Sequence, residues 1–163
     1  MECEHLLIDL GAGNPDEGEI QEPGYILQDI KPHKNIQLVC DIEELDKHLK
    51  PGQCKKFRMS HVLEHFPTDK VVPLLKMLHT LLEKDGQIEV HVPNFKWHAS
   101  LLLLEQDEDA IKYAFGGQKD EYDFHKTAFT QHVLFKKLNE AGFSIVDFKI
   151  DQSIHVLAKK DES

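Results

Sequence analysis

Apolar positions along this chain form short runs separated by turn residues, with one long helical stripe near the middle. Leu6-Leu7-Ile8-Asp9-Leu10 is an apolar run around a single acid, followed at once by Gly11-Ala12-Gly13. The run predicts a buried parallel strand over 5–10 that ends in a tight turn, where missing Cβ atoms let backbone approach a ligand closely. Pro15, Gly18, Pro23 and Gly24 exclude a long helix in the next loop. Short strands are predicted over 25–27, running out near Asp29, over 36–40, and over 57–60, with a helical segment over 43–49 stopped by Pro51-Gly52. Leu74, Leu75, Leu78, Leu81 and Leu82 recur at three- and four-residue steps and predict an amphipathic helix over 69–84. Thr68 is its candidate cap and Asp85-Gly86 its stop; Pro73 is tolerable only near the first turn. Ile88, Val90 and Val92 alternate with polar neighbours, the pattern of a strand over 87–92 closed by Pro93-Asn94.

The rhythm then breaks. Two short amphipathic helices are predicted over 95–104 and 108–115, followed by a polar, aperiodic stretch over 116–125. A loop of that kind inside a compact domain is characteristically a lid or binding loop. Thr130 caps a final helix, Phe129 is placed to staple onto Leu134, and Gly142 ends it. Strands over 143–150 and 154–158, separated only by Asp151-Gln152-Ser153, form an antiparallel hairpin. Strands joined by crossovers with a hairpin at the end predict an α/β chain: a Rossmann-like, mostly parallel seven-stranded sheet with a C-terminal antiparallel hairpin. Helices are expected on both faces, thinly over the first three strands. The length of 163 residues suits a single domain over 1–163, with a lid or acceptor-binding insertion at 95–128.

Composition narrows the partners. The formal net charge of -10 disfavours a broad phosphate-binding surface, and the Lys55-Lys56 and Lys136-Lys137 pairs read as solvated surface, so no nucleic-acid partner is expected. Cys3, Cys40 and Cys54 lack C-x-x-C spacing, which points to a reducing compartment. With no signal sequence and no apolar block longer than Leu101–Leu104, the expected location is the cytoplasm, away from the membrane.

The candidate chemistry lies at strand ends, where open α/β sheets bind ligands. Asp29, at the end of the second strand, stands where a carboxylate can accept both hydroxyls of a ribose; it could equally cap the turn toward Lys31-Pro32. Asp41 could accept from an adenine amino group while Ile42 covers the ring, and could also serve as N-cap of the following helix. Asp9 sits in an apolar strand, so its charge needs a partner: turn N–H groups or a ligand ammonium.

These features occur in a fixed order with two longer runs. Met59-Ser60-His61-Val62-Leu63-Glu64-His65-Phe66 follows the fourth strand, and Leu81-Leu82-Glu83-Lys84-Asp85-Gly86-Gln87 leads into the fifth; Gly116-Gly117-Gln118, Tyr122 and His125 then precede Glu140-Ala141-Gly142-Phe143. Together they resemble the class I S-adenosylmethionine-dependent methyltransferases, and within them the small type-11-like group. The resemblance spans 5–158 and implies S-adenosylmethionine as cofactor. By position, Gly11, Ala12 and Gly13 would face its methionine part, Asp29 its ribose, and Asp41 with Ile42 its adenine. Ser60 and His61 would flank the sulfonium. Pro15 replaces the third glycine of many members, and 95–125 is expected to supply the cover that a leading helix provides elsewhere. The implied activity is methyl transfer to a small-molecule acceptor, with His61, His65 and His125 as candidate bases because imidazole titrates near neutral pH. Phe95, Trp97, Tyr113, Phe115 and Tyr122 could line the acceptor pocket or form the core of the insertion.

Three other readings compete. The fold could hold cofactor without catalysis. The Asp29 spacing also suits a nicotinamide-dependent dehydrogenase, though the third glycine is missing. His61-Val62-Leu63-Glu64-His65 matches the H-x-x-E-H pattern of inverted zinc peptidases, but a long ligand helix is poorly supported between a strand and Phe66-Pro67, and no metal is expected.

Overall fold

A computed structural model of the chain describes residues 5–18, 21–104 and 109–161. Cys3 and the expected helix start at 108 lie outside them. Seven strands form one sheet: β1 (Leu6–Leu10), β2 (Ile26–Asp29), β3 (Leu38–Val39), β4 (Cys54–Ser60), β5 (Leu82–Pro93), β6 (Phe143–Ile150) and β7 (Ser153–Lys160). Their order is β3-β2-β1-β4-β5-β7-β6. β1 to β5 pair in parallel and β7 runs antiparallel between β5 and β6, so the mostly parallel sheet with a terminal hairpin is as the sequence predicts.

Register sorts the side chains onto two unlike faces. On one, Ile8, Phe57, Ile88 and Ala158 stand in a row, as do Leu10, Met59, Val90 and Val156, all buried. Helix α1 (Thr68–Leu81) lays its leucine stripe on this face, and α4 (Gln131–Glu140) adds Leu134 and Leu138. Pro73 falls in the second turn rather than the first, inside the helix; each fully buried leucine contributes about 1.5–3 kcal/mol, so the stripe outweighs the one hydrogen bond that Pro73 removes there.

The opposite face carries charge. Asp9, Arg58 and Glu89 lie side by side across β1, β4 and β5. Arg58 Nη1 donates to both Asp9 oxygens at 3.0 and 2.8 Å, and Lys56 Nζ donates to Glu89 at 2.5 Å. His91 Nε2 lies 3.0 Å from Glu89, with the ring of His155 packed against its own at 4.3 Å. Burial pushes the His91 imidazole down to about 4, His155 adding to the effect against the opposing pull of Glu89.

Several boundaries differ from the sequence reading for local reasons. α1 ends at Leu81 rather than 84, because Leu82 already pairs with Cys54 in the sheet and takes extended backbone. Pro67, not Thr68, occupies the N-cap position; the Thr68 hydroxyl instead bonds Thr127 Oγ1 at 3.0 Å. The expected helix over 43–49 is a 3-10 turn, Ile42–Lys47, capped by Asp41, whose carboxylate accepts from the Glu43 N–H at 2.9 Å. The cover over the first three strands is thin, as expected: a 3-10 turn, Pro15–Glu17, is the only regular element between β1 and β2 among the described residues.

After β5 the chain forms α2 (Phe95–Leu103) and α3 (Asp109–Phe115). Asn94 ties this segment to the hairpin turn through Asp151 O (2.8 Å), as does His98 through Gln152 O (2.9 Å), and the His98 ring stacks on Tyr113. Phe95, Trp97, Tyr113, Phe115 and Tyr122 form no buried core and are between 38% and 58% exposed; Tyr122 borders the main cavity, and Phe95 and Tyr113 border a much smaller one.

Candidate functional site

The main cavity, about 590 Å³, opens at the carboxyl ends of β1, β2 and β3. Gly11 and Gly13 form one wall, both at positive φ (61° and 67°). A Cβ on Gly11 would lie 2.6 Å from Val62 Cγ2, so the turn closes onto the loop after β4 only because that position is glycine. Asp29 sits beneath the turn and is 8% exposed. Its Oδ2 accepts from the Gly13 N–H at 3.0 Å and its Oδ1 from the Lys31 N–H at 2.9 Å, so the turn-capping role weighed from sequence is present.

Gln28, which sequence reading passed over, completes the frame. Fully buried, it accepts from the Gly11 N–H at 3.1 Å and donates to Cys40 O at 2.7 Å, while its own carbonyl accepts from the Ala12 N–H. One side chain thus locks the glycine turn to the end of β3. A polar residue inside an apolar strand is the signal that could have revealed it.

Seven of the expected site residues meet on this cavity: Gly11, Gly13, Asp29, Asp41, Ile42, His61 and His65. Ala12, Ser60, Asp9 and His125 do not line it. Ala12 is buried behind the turn. Asp9 faces the charged side of the sheet, where Arg58 and the Glu22 N–H (3.2 Å) occupy its carboxylate. Burial pushes that carboxyl above its ordinary value, and the Arg58 guanidinium pulls it back.

His61 adopts φ 56° directly after β4, ahead of a three-residue 3-10 turn, Leu63–His65. The two histidines of the H-x-x-E-H run therefore do not share a helix face, and the arrangement expected of an inverted zinc peptidase is not formed. His61 is half exposed, with Nδ1 3.3 Å from Oε1 of Glu64, a carboxylate only 1% exposed. Glu64 also holds the far segment through its backbone: its carbonyl accepts from the Lys126 and Thr127 N–H groups at 2.8 and 3.1 Å. That pairing brings His125 against His65, ring centroids 4.9 Å apart. His125 Nδ1 donates to Tyr113 O at 2.8 Å, and burial lowers its imidazole below the ordinary value despite the upward pull of Glu64.

The wall facing the glycine turn comes from the loop after α3. Gly116, at φ 84°, lets this loop fold tightly, since a Cβ there would meet Asp123 O at 2.2 Å. Lys119, Asp120, Tyr122, Asp123 and Lys126 border the cavity. Lys31 pairs with Asp120 and lies over the Tyr122 ring, joining this loop to the turn after β2. No described helix is long and apolar enough to cross a membrane.

No family model matches the chain, and neither does any curated protein. Solved structures do match. A SAM-dependent methyltransferase from Methanosarcina mazei shares 16% identity and aligns over 100% of this chain and 95% of its own, with a TM-score of 0.71. One from Archaeoglobus fulgidus shares 19% identity over 96% of this chain and 86% of its own, with a TM-score of 0.65. The Burkholderia thailandensis 1,6-didemethyltoxoflavin-N1-methyltransferase was crystallised with 1,6-didemethyltoxoflavin and S-adenosylhomocysteine. It shares 18% identity over 96% of this chain and 71% of its own, with a TM-score of 0.65. The sheet and its order are therefore the fold of the S-adenosylmethionine-dependent methyltransferases.

Proposed function

We propose that the protein is an S-adenosylmethionine-dependent methyltransferase of the type-11-like group, acting on a small-molecule acceptor. The observation that carries this reading is the meeting of the glycine turn and Asp29 on one cavity at the strand ends of this fold. The residues suit the cofactor. Each Asp29 oxygen accepts one backbone N–H and keeps a lone pair for a ribose hydroxyl. Asp41 and Ile42 lie on the same cavity for the adenine, and Gly11 and Gly13 leave room for the methionine part. Ala12 and Asp9 act behind this surface, Ala12 through the turn backbone and Asp9 through Arg58.

When bound, the cofactor supplies a methyl group made electrophilic by its sulfonium. The protein's task is to align the acceptor and exclude water. His61, on the cavity wall, takes the acceptor's proton. Ser60, at the end of β4, orients His61 through the backbone. Within the 95–128 insertion the loop bearing Asp120 and Tyr122 serves as the lid, fastened by Lys31. A small acceptor agrees with the acidic chain and with the small molecule bound by the Burkholderia neighbour.

Calorimetric titration with S-adenosylhomocysteine tests the assignment. Asp29→Ala removes the charged acceptor for the sugar hydroxyls and is expected to weaken binding at least about tenfold. Unchanged affinity in a folded variant would remove the ribose assignment. Methyl transfer from labelled cofactor, screened over hydroxyl and amine acceptors, distinguishes an enzyme from a fold that binds cofactor alone.

A further inference from the structure

Glu64, His65 and His125 come together from opposite ends of a 61-residue separation, and no role assigned above needs all three. One ligand-type atom from each lies within 4.8 Å of the others. Glu64 is 1% exposed, and neither of its oxygens makes a hydrogen bond within the described residues. A buried carboxylate left in that condition costs several kcal/mol unless a cation meets it. Its nearest described cationic group is His61, 3.3 Å away and poorly aligned for a hydrogen bond.

The two imidazoles are prepared in the same way. His65 Nδ1 lies 3.1 Å from Phe124 O, and His125 Nδ1 lies 2.8 Å from Tyr113 O. A carbonyl only accepts, so each Nδ1 carries the proton and each Nε2 presents a lone pair. Fixing a ligand tautomer through a backbone carbonyl is how outer contacts orient metal-binding histidines. Glu64 and His125 also border a small cavity of about 10 Å³, about the room one water centre needs.

We propose that Glu64, His65 Nε2 and His125 Nε2 form a binding site for one divalent first-row transition-metal ion. Two imidazoles and a carboxylate are a donor set that suits zinc or iron(II) and leaves positions open for water or a ligand. Ligands about 2.1 Å from a tetrahedral ion stand about 3.4 Å apart, so drawing the three donors together by at most about 1.4 Å a pair completes the set. The site differs from an H-x-x-E-H centre: His125 replaces His61, and the glutamate binds the ion. Because His65 also borders the large cavity, an ion here would sit at its edge.

The test uses the full chain, stripped with a chelator and titrated with Zn²⁺ alone. One equivalent is expected to survive dialysis, and Co²⁺ in its place to give the visible absorption of a low-coordinate site. In histidine-detected NMR, His65 and His125 Nε2 shift on Zn²⁺ addition in the unsubstituted protein, so this arm does not depend on any variant folding. Glu64→Gln and His125→Ala are expected to weaken binding at least about tenfold. A His91→Ala/His155→Ala double variant, which removes the imidazole pair on the charged sheet face, leaves binding intact. Substoichiometric retention, or Zn²⁺ shifts confined to His61 or to His91 and His155, would overturn the site. Titration of the same samples with S-adenosylhomocysteine separates the two proposals. Cofactor binding without metal retention sinks only this one, and metal retention without cofactor binding sinks only the methyltransferase reading.

Discussion

Removing Asp9 separates a structural role from a ligand-binding one. The carboxylate accepts two hydrogen bonds from Arg58 Nη1, at 3.0 and 2.8 Å, and one from the Glu22 N–H at 3.2 Å, while being 1% exposed. Asp9→Ala leaves the Arg58 guanidinium, itself 8% exposed, without its principal counter-charge. Breaking a buried pair from one side costs about 3–5 kcal/mol. Glu22 Oε2, 3.9 Å from Arg58 Nε, compensates weakly, which places the expectation near the lower end, about 3 kcal/mol. That is a large share of the roughly 5–15 kcal/mol typical of a domain. Asp9→Leu/Arg58→Met removes both charges and should recover most of the loss; against the Asp9→Leu and Arg58→Met single variants it should give a coupling of about 2 kcal/mol or more in a double-mutant cycle. Urea unfolding followed by circular dichroism near neutral pH measures the cycle, and titration with S-adenosylhomocysteine measures the ligand. The double variant should bind cofactor as the unsubstituted protein does. A folded, fully stable Asp9→Ala protein that has lost cofactor affinity would refute the argument and return Asp9 to the binding surface.

Gly11→Ala places a Cβ 2.6 Å from Val62 at a left-handed backbone position, with an expected cost of about 2–4 kcal/mol in urea unfolding; Val62→Ala in the same chain should recover part of it. His91 titrates at about 4 when folded, against 6.5 unfolded, so the unfolded chain binds more protons between those values. Stability should therefore be complete above pH 6.5 and decline by up to about 3 kcal/mol as pH falls to 4; a His91→Gln chain that loses stability equally over this window would refute the assignment. Cys54 is fully buried and its thiol is pushed up to about 12, so it should react with a thiol reagent only at the rate of unfolding; prompt labelling of Cys54 in the native protein would contradict the packing.

The sequence displayed its backbone plan through periodicity. The run into Gly11, the leucine stripe and the Asp151-Gln152-Ser153 hairpin turn are local patterns, and local patterns lead directly to strands, helix and topology. Asp29 and Asp41 were readable because strand ends and caps are local too. What escaped depends on partners far along the chain. Asp9 meets Arg58 across 49 residues, and only the register of β1 against β4 aims it away from the cavity. The alternation of Lys56, Arg58, Glu89 and His91 with apolar neighbours did carry a trace of the charged face, visible once β4 and β5 are placed side by side. The convergence of Glu64 with His125 rests on two backbone hydrogen bonds to the Glu64 carbonyl, which no residue-type pattern announces. The aromatic residues of 95–122 depart from the burial their apolarity suggests, because the short helices that carry most of them leave each about half exposed.

The charged face of the sheet makes this molecule responsive to electrolyte in a graded way. Mobile ions screen the partly exposed Lys56–Glu89 contact readily and the enclosed Asp9–Arg58 contact far less. Added salt would thus loosen the Lys56–Glu89 end of the charged row while its Asp9–Arg58 end stays clamped.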